Sequence, residues 1–278
     1  MSALLALTSS LLWGTADFLG GTASRRLPAV AVVGVSQALG LVGVLVMAVA
    51  TGELDASPGY LGWGIAGGAT GLVALTAFYA GLASGTMGVV APIAATGVVV
   101  PVGVGLLRGE SPQPWQAAGI LLAVVGVVLA SGPEARGGTG VSLRPLLLAG
   151  VAAAGFGLVL VFLAEGGRTS TPMTLVAMRA TSVLLVVGVA VAVRSSGGFR
   201  TADLPLLAVI GLADAGANAT YAFAAQSGLV SVTAVLASLY PAVTVLLARG
   251  VHGERMRRIQ NVGVSCALGG VVLIAAGG

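Results

Sequence analysis

The chain has 278 residues and a formal net charge of +4; 57% of its residues are hydrophobic and only 8% are charged. Soluble domains are about 45–50% apolar and about 25% charged, so this composition excludes a water-soluble globular protein. All thirteen basic residues are arginine, and a chain without lysine cannot form the phosphate-binding loop of an ATP-driven pump.

Ten apolar segments follow one another along the whole chain. Each is about 18–23 residues long, the length that an α-helix needs to cross a bilayer core of about 30 Å. Short connections rich in Gly, Pro, Ser and Arg separate these segments. The sequence therefore predicts an all-α membrane protein with ten transmembrane helices. We expect the helices at residues 3–22, 29–51, 60–82, 86–107, 113–131, 143–164, 172–194, 204–226, 230–249 and 259–277.

The chain contains one histidine, His252, and one cysteine, Cys266. A Cys/His zinc site and a Cys/His nucleophilic pair are therefore excluded, and the sequence has no G-x-S-x-G elbow. We expect no enzymatic activity, no metal and no cofactor. His252 lies in a charged segment, where we expect a solvated loop residue.

A shift of 143 residues lays the second half of the chain over the first. It aligns Trp13, Gly14 and Arg25 with Phe156, Gly157 and Arg168, and it aligns "LRGE" before the fifth segment with "VHGE" before the tenth, one residue out of step. A unit of five crossings ends on the opposite side of the membrane, so the second copy is inverted. We expect two inverted five-helix repeats, residues 1–132 and 133–278. Such repeats bind substrate near the midplane and expose it to each side in turn, which makes transport the leading function.

The "LLWG" of the first helix, the glycine-glutamate turn before the last helix of each half and the 5+5 arrangement resemble the EamA family of the drug/metabolite transporter superfamily. The resemblance covers essentially the whole chain. It implies a ten-helix exporter or permease of the plasma (inner) membrane, which moves amino acids or drug-like solutes without ATP. Family members often carry a basic or polar residue in the second helix of each half, where this chain has Gln37 and Arg179.

Three charged side chains lie inside the predicted helices, namely Asp17, Arg179 and Asp214. A charge at the bilayer centre costs about 2.5–3.5 kcal/mol, so each is a candidate functional residue. Asp214 lies near the midplane, and the long Arg179 side chain reaches the same depth from the opposite face. We expect these two to pair, with Asn218 and Tyr221 continuing the same face of the eighth helix. The pair would hold a zwitterionic solute, or Asp214 would take up a proton; a structural ion pair or an arginine that snorkels to the interface is the alternative.

Asp17 follows Trp13 by one turn, so the ring and the carboxylate share a helix face. This arrangement suits a cation site or a proton relay, and the alternative is a carboxylate that accepts a hydrogen bond from a neighbouring helix. Gln37, Tyr79 and Tyr240 are weaker candidates for binding, because aromatic residues in such helices also serve as packing residues and interfacial anchors.

Three prolines, Pro92, Pro101 and Pro241, interrupt the fourth and ninth predicted helices, which are equivalent in the two halves. Proline removes a backbone hydrogen bond and kinks a helix, so these positions are candidate hinges beside a cavity. Ordinary tolerated kinks are the alternative.

Ten arginines lie in loops on the side reached after the odd-numbered helices, and only Arg108 and Arg168 lie on the other side. The positive-inside rule then places both termini outside the cytoplasm, whereas the family resemblance implies termini inside. These arginines are next to the predicted helices, where they set orientation rather than bind nucleic acid.

These patterns favour a secondary exporter whose partners are a small-molecule solute, the lipid bilayer and a proton that couples transport. The glycine-rich helix faces permit a homodimer. The alternative is a non-transporting sensor or assembly component that binds a ligand in the same cavity.

Overall fold

The computed structural model describes residues 2–100, 104, 107, 114–130, 143–195, 197–227, 237, 239–253 and 258–276. The regular structure of these residues is entirely helical. The helices are α1 (Ser2–Ala23), α2 (Ala29–Ala50), α3 (Leu61–Ser84), α4 (Met87–Ala95), α5 (Pro114–Ala130), α6 (Leu143–Ala192), α7 (Leu204–Ser227), α8 (Tyr240–His252) and α9 (Arg258–Ala276). Short 3-10 turns cover Pro58–Tyr60, Thr96–Val98 and Thr201–Asp203.

The described helices include five segments that are long and apolar enough to cross a membrane. These are Ala29–Ala50, Pro58–Ser84, Leu143–Leu163, Glu165–Ala192 and Thr201–Tyr221. Shorter apolar helices cover Met87–Val98, Ala117–Gly126 and Arg258–Leu273. An all-α membrane protein is thereby confirmed, and the number of ten spans stays a prediction.

The distribution of side chains is that of a protein surrounded by lipid. Large aliphatic residues stand on outward faces, as with Leu4, Val46 and Leu184, whose side chains are 69%, 63% and 71% exposed. Small residues fill most helix contacts instead, and Gly or Ala there lets two backbones approach closely. The four largest of the fully buried side chains, namely Tyr79, Phe78, Leu82 and Met87, belong to α3 and the start of α4.

Most helix bounds lie within a few residues of the predicted ones, and two regions require comment. The fourth helix was expected at 86–107; the α-helix Met87–Ala95 passes into the 3-10 turn Thr96–Val98, and the described residues 99, 100, 104 and 107 are again helical. Residues 230–236 and 238 of the expected ninth helix lie outside the described residues, and helix α8 begins at Tyr240.

The loop expected between the sixth and seventh helices, around residues 165–171, is absent; this prediction was wrong. Helix α6 runs through it with one break at Ser170, whose φ of −162° and ψ of 116° are extended. The Ser170 hydroxyl accepts a hydrogen bond from the backbone N–H of Met173 at 3.1 Å, which makes Ser170 the N-cap of a new helix. Pro172 fits there because the first turn of a helix does not need its N–H. The break divides α6 into arm α6a (residues 143–169) and arm α6b (residues 171–192).

The two arms of α6 fold around α3. Gly85 of α3 lies against Pro145 in α6a, and Ala74 lies against Gly155, so α3 and α6a run in opposite directions. Gly64 and Gly68 of α3 instead lie against Ala177 and Met178 in α6b. The arms therefore form a helical hairpin in which a single residue makes the turn.

Equivalent contacts recur in the two halves of the fold. A methyl group added to Gly14 in α1 would lie 2.5 Å from the Cβ of Val243 in α8, and one added to Gly157 in α6a would lie 2.5 Å from the Cβ of Val100. A shift of 143 residues relates Gly14 to Gly157 and Val100 to Val243, so the two contacts are equivalent. Equivalent helices of the two halves therefore pack in the same way, as a pseudo-two-fold axis requires.

The last helices of the halves, α5 and α9, pack reciprocally on one another. Gly126 of α5 lies against the backbone of Ala267, and Gly270 of α9 lies against the backbone of Ala123. These positions are related by 144 residues, which agrees with the one-residue offset between "LRGE" and "VHGE" in the sequence. The division between residues 132 and 133 stays a prediction.

Candidate functional site

Arg179 lies in α6b near the middle of the bundle and is only 4% exposed. Its Nη2 donates a hydrogen bond to Asp214 Oδ2 at 2.8 Å, which also makes a salt bridge between α6b and α7. Its Nη1 donates to Gln37 Oε1 of α2 at 2.6 Å. The structure therefore brings the two charged residues together as expected from the sequence, and it adds Gln37 as a third member.

Asn218 supports the carboxylate from within α7. Its Nδ2 donates to the backbone carbonyl of Asp214 at 2.6 Å and approaches Asp214 Oδ1 at 3.3 Å. Residues four apart share a helix face, so Asn218 continues the polar face that Asp214 begins. We name Gln37, Arg179, Asp214 and Asn218 the polar network; within the described part of the chain, Nε of Arg179 is a buried donor without a hydrogen-bond partner.

Two glycines that the sequence analysis did not single out make this network possible. Helix α2 crosses α7 at Gly40 and Gly211, and a side chain at Gly211 would collide with the carbonyl oxygen of Ser36. A Cβ at Gly40 would lie 2.9 Å from Arg179 Nη1 and 2.8 Å from the carbonyl oxygen of Gly211. The guanidinium thus occupies the space that a side chain at position 40 would fill. The small residues Ser36 and Gly40, four apart, were the available sequence signal.

Asp17 of α1 is 8% exposed and forms no hydrogen bond or salt bridge with another described residue. Its carboxylate lies within electrostatic reach of Asp214, Tyr79 and Tyr240. The centre of the bundle therefore holds two carboxylates beside one guanidinium. When both are ionised, one negative charge has no counter-charge among the described residues.

Three aromatic rings stand beside Asp17, and we name Trp13, Tyr221 and Tyr240 the aromatic trio. The ring centroid of Trp13 lies 5.7 Å from that of Tyr221 and 6.1 Å from that of Tyr240. All three are half-buried, and they come from α1, α7 and α8. Three candidates that are far apart in sequence thus form one aromatic surface.

Tyr79 of α3 is 1% exposed, and its ring lies flat against Gly20 of α1, where any side chain would collide with it. It is within electrostatic reach of Asp17, Asp214 and Arg179. Tyr79 is therefore close to both Asp17 and the polar network.

The candidate hinges have different positions. Pro92 lies inside α4, three residues before the α-helix changes to a 3-10 turn. Pro241 lies in the first turn of the described α8, where proline breaks no intrahelical hydrogen bond. Pro101 lies outside the described residues.

His252 is not the solvated loop residue that its charged neighbours suggested. It lies in the last turn of α8 and is half-buried, because α8 packs against α1. Its Nε2 is 2.9 Å from Thr22 Oγ1, and its ring centroid is 5.2 Å from that of Phe18. Within the described ranges, no three His, Cys, Asp or Glu side chains are grouped so as to hold a metal ion.

A sequence profile of the EamA-like transporter family matches residues 1–132 and 143–276. No curated protein matches the chain significantly. Its fold is similar to that of a solved structure described only as "Crystal structure of protein", with a TM-score of 0.67 and 18% sequence identity over 98% of this chain and 95% of that one.

Proposed function

The chain belongs to the EamA-like transporter family of membrane transporters, and from this premise we propose that it is a secondary exporter of a small polar metabolite. In this proposal ten transmembrane helices in the plasma (inner) membrane form two inverted repeats. The repeats rock against one another and expose a central site to each side in turn.

The observation that carries the proposal is the position of the polar network between the repeats. Gln37 belongs to the first repeat, whereas Arg179 and Asp214 belong to the second. A network that only stabilised the second repeat would not need a side chain from the first repeat. Movement of one repeat against the other would break the bond between Gln37 and Arg179, so the network can respond to the transport cycle.

The guanidinium of Arg179 is the natural contact for an anionic or carbonyl group of the solute. Its Nη atoms are presented in a planar fork that matches a carboxylate, and its Nε has no described partner. A solute carboxylate would replace Asp214 or Gln37 at this fork. Asp214 would then be released to hold an ammonium group or a proton.

Transport by purified protein in liposomes tests the proposal. Radiolabelled amino acids and small cationic drugs would be screened with and without an imposed pH gradient. We expect flux that is lost in Arg179→Gln and Asp214→Asn and retained in Asp55→Asn, an exposed carboxylate outside the site. Binding without flux for every solute would instead favour a sensor or assembly component.

A further inference from the structure

Asp17 is the one central charge that the polar network does not use. The residue is only 8% exposed, and no described residue neutralises its carboxylate or donates a hydrogen bond to it. An isolated buried carboxylate is costly, so it requires a counter-charge or a proton from outside the described chain. The nearby Asp214 adds to the negative potential at this point.

The aromatic trio adjoins Asp17: Trp13 shares a face of α1 with it, and Tyr240 is within electrostatic reach of its carboxylate. Trp13 precedes Asp17 by one turn of α1, while Tyr221 follows Asp214 by two turns of α7, a rise of about 10 Å. Trp13 lies against Tyr221, and Asp17 lies within reach of Asp214. The trio therefore adjoins Asp17 through Trp13, and it adjoins the polar network through Tyr221, which shares a face of α7 with Asp214 and Asn218.

Aromatic faces attract cations when the charge lies within about 6 Å of the ring centroid, and the effect is larger where water is excluded. The ring centroids of Tyr221 and Tyr240 lie 5.7 Å and 6.1 Å from that of Trp13, so a cation beside the Trp13 ring would also be close to the two tyrosines. A buried carboxylate one turn away supplies the full opposite charge. These are the two components from which proteins build sites for ammonium groups.

We propose that Asp17 and the aromatic trio bind an ammonium group, so that the substrates are organic ammonium ions. This proposal rests on the transport function, because it assigns the substrate class of the same central site. The ammonium group lies against Trp13, Tyr221 and Tyr240 with Asp17 as its counter-ion. The remainder of the molecule extends towards Arg179, which contacts a carbonyl, hydroxyl or carboxylate group.

Tryptophan fluorescence tests this site without a transport assay. The variant Trp63→Phe/Trp115→Phe of the full chain retains Trp13 as its single tryptophan. Choline would be titrated into this protein in lipid nanodiscs, beside its uncharged isostere 3,3-dimethyl-1-butanol and a series of larger trimethylammonium ions. We expect at least one ammonium ion to change the Trp13 emission saturably, and the isostere to have no comparable effect.

Substitutions at Asp17 and Tyr240 locate the site, and each has a matched control. Asp17→Asn should weaken ammonium binding at least tenfold, whereas Asp55→Asn should leave it unchanged. Tyr240→Phe retains the ring and should retain binding, and Tyr240→Leu should weaken it. Size-exclusion chromatography would show whether Asp17→Asn folds. If it does not, the comparison of Tyr240→Phe with Tyr240→Leu still tests the site.

An equal response to choline and its isostere would overturn the proposal, as would ammonium binding that is unaffected by both Asp17→Asn and Tyr240→Leu. A failure of every ammonium ion to bind would also overturn it and would leave Asp17 as a proton site. Failure of the cation site is distinguishable from failure of the transport function. Flux of uncharged solutes without ammonium binding rejects only the former, and ammonium binding without flux rejects only the latter.

Discussion

Gln37 and Arg179 occupy equivalent positions in the two repeats, 142 residues apart and thus one residue out of step with Gly14 and Gly157, and they contact one another directly, with 2.6 Å between Oε1 and Nη1. The residues just before them, Ser36 and Met178, make equivalent contacts. Gly211 lies against the carbonyl oxygen of Ser36, and Gly68 lies against the carbonyl oxygen of Met178. Residues related by a two-fold axis can touch only where the axis passes between them. The pseudo-symmetry axis of the fold therefore runs through this hydrogen bond.

The Arg179–Asp214 pair should show strong coupling in a double-mutant cycle. Removing one member of a buried pair leaves an uncompensated charge, which typically costs about 3–5 kcal/mol. We expect Asp214→Asn to lower the thermal midpoint of the purified protein, and Arg179→Gln/Asp214→Asn to be more stable than Asp214→Asn alone. Asp55→Asn serves as the control. Additive effects of the two substitutions would contradict a direct energetic role for the pair.

Gly40→Ala should impair both stability and transport. The added Cβ would lie 2.9 Å from Arg179 Nη1 and 2.8 Å from the Gly211 carbonyl, and overpacking of this kind costs about 1–3 kcal/mol. Gly43→Ala is the matched control on the same helix, because its Cβ would meet Leu212 at an ordinary 3.5 Å. Thermal midpoints and liposome flux would be measured for both. A Gly40→Ala protein that behaves like Gly43→Ala would show that α2 and the guanidinium yield without cost.

Ser170→Ala should destabilise the hairpin between α6a and α6b. The substitution removes the hydroxyl that accepts the Met173 N–H at 3.1 Å, and loss of such an N-cap costs about 1 kcal/mol. Ser170→Asp restores an acceptor and should recover most of the loss. The measurement is the thermal midpoint of each variant in detergent. If alanine and aspartate gave the same midpoint, the cap would not stabilise the corner.

Asp17→Asn tests proton coupling separately from substrate binding. If this carboxylate exchanges a proton during transport, flux driven by a pH gradient should disappear in the variant, since an amide cannot bind and release the proton. The control is Asp55→Asn, and flux would be followed over about pH 5 to 8. Unchanged pH dependence in Asp17→Asn would remove this residue from the coupling mechanism.

The orientation of the chain is open to a reporter test. Described arginines such as Arg25, Arg26 and Arg200 lie in connections that follow odd-numbered predicted helices. The positive-inside rule therefore predicts that both termini are outside the cytoplasm. A terminal fusion to a reporter that is active only outside the cytoplasm should be active. Activity of a cytoplasmic reporter at either terminus would contradict this orientation.

The sequence predicted the Arg179–Asp214 pair because depth along a transmembrane helix follows directly from residue count. At 1.5 Å per residue, two charges on neighbouring helices can be placed at the same level before any contact is known. Their third partner could not be found in this way. Gln37 reaches Arg179 only because α2 and α7 cross at Gly40 and Gly211, and a crossing point depends on both surfaces together.

Two local features also depended on tertiary packing. The sequence around residues 165–171 has the Gly, Ser, Thr and Pro of a typical loop, yet the hairpin arms extend into it because both pack against α3. His252 has charged neighbours in sequence, whereas its surroundings in space are Phe18 and Thr22 of α1. Local composition reflects only the neighbours along the chain. The structure of the 165–171 segment and the surroundings of His252 depend instead on residues that are distant in sequence.

The contact between Gln37 and Arg179 also bears on how such a site can arise. In a homodimer of a single five-helix unit, the position on the axis would be filled twice by the same residue. Two arginines there would repel one another, and two glutamines would leave a nearby acid without a cation. This restriction does not apply when the two units are joined in one chain, because the residue at each of the two positions can then be different. The unlike residues on the axis therefore require two units that differ in sequence, and they give the centre of a nearly symmetric protein a chemical polarity that no symmetric assembly of identical units could have.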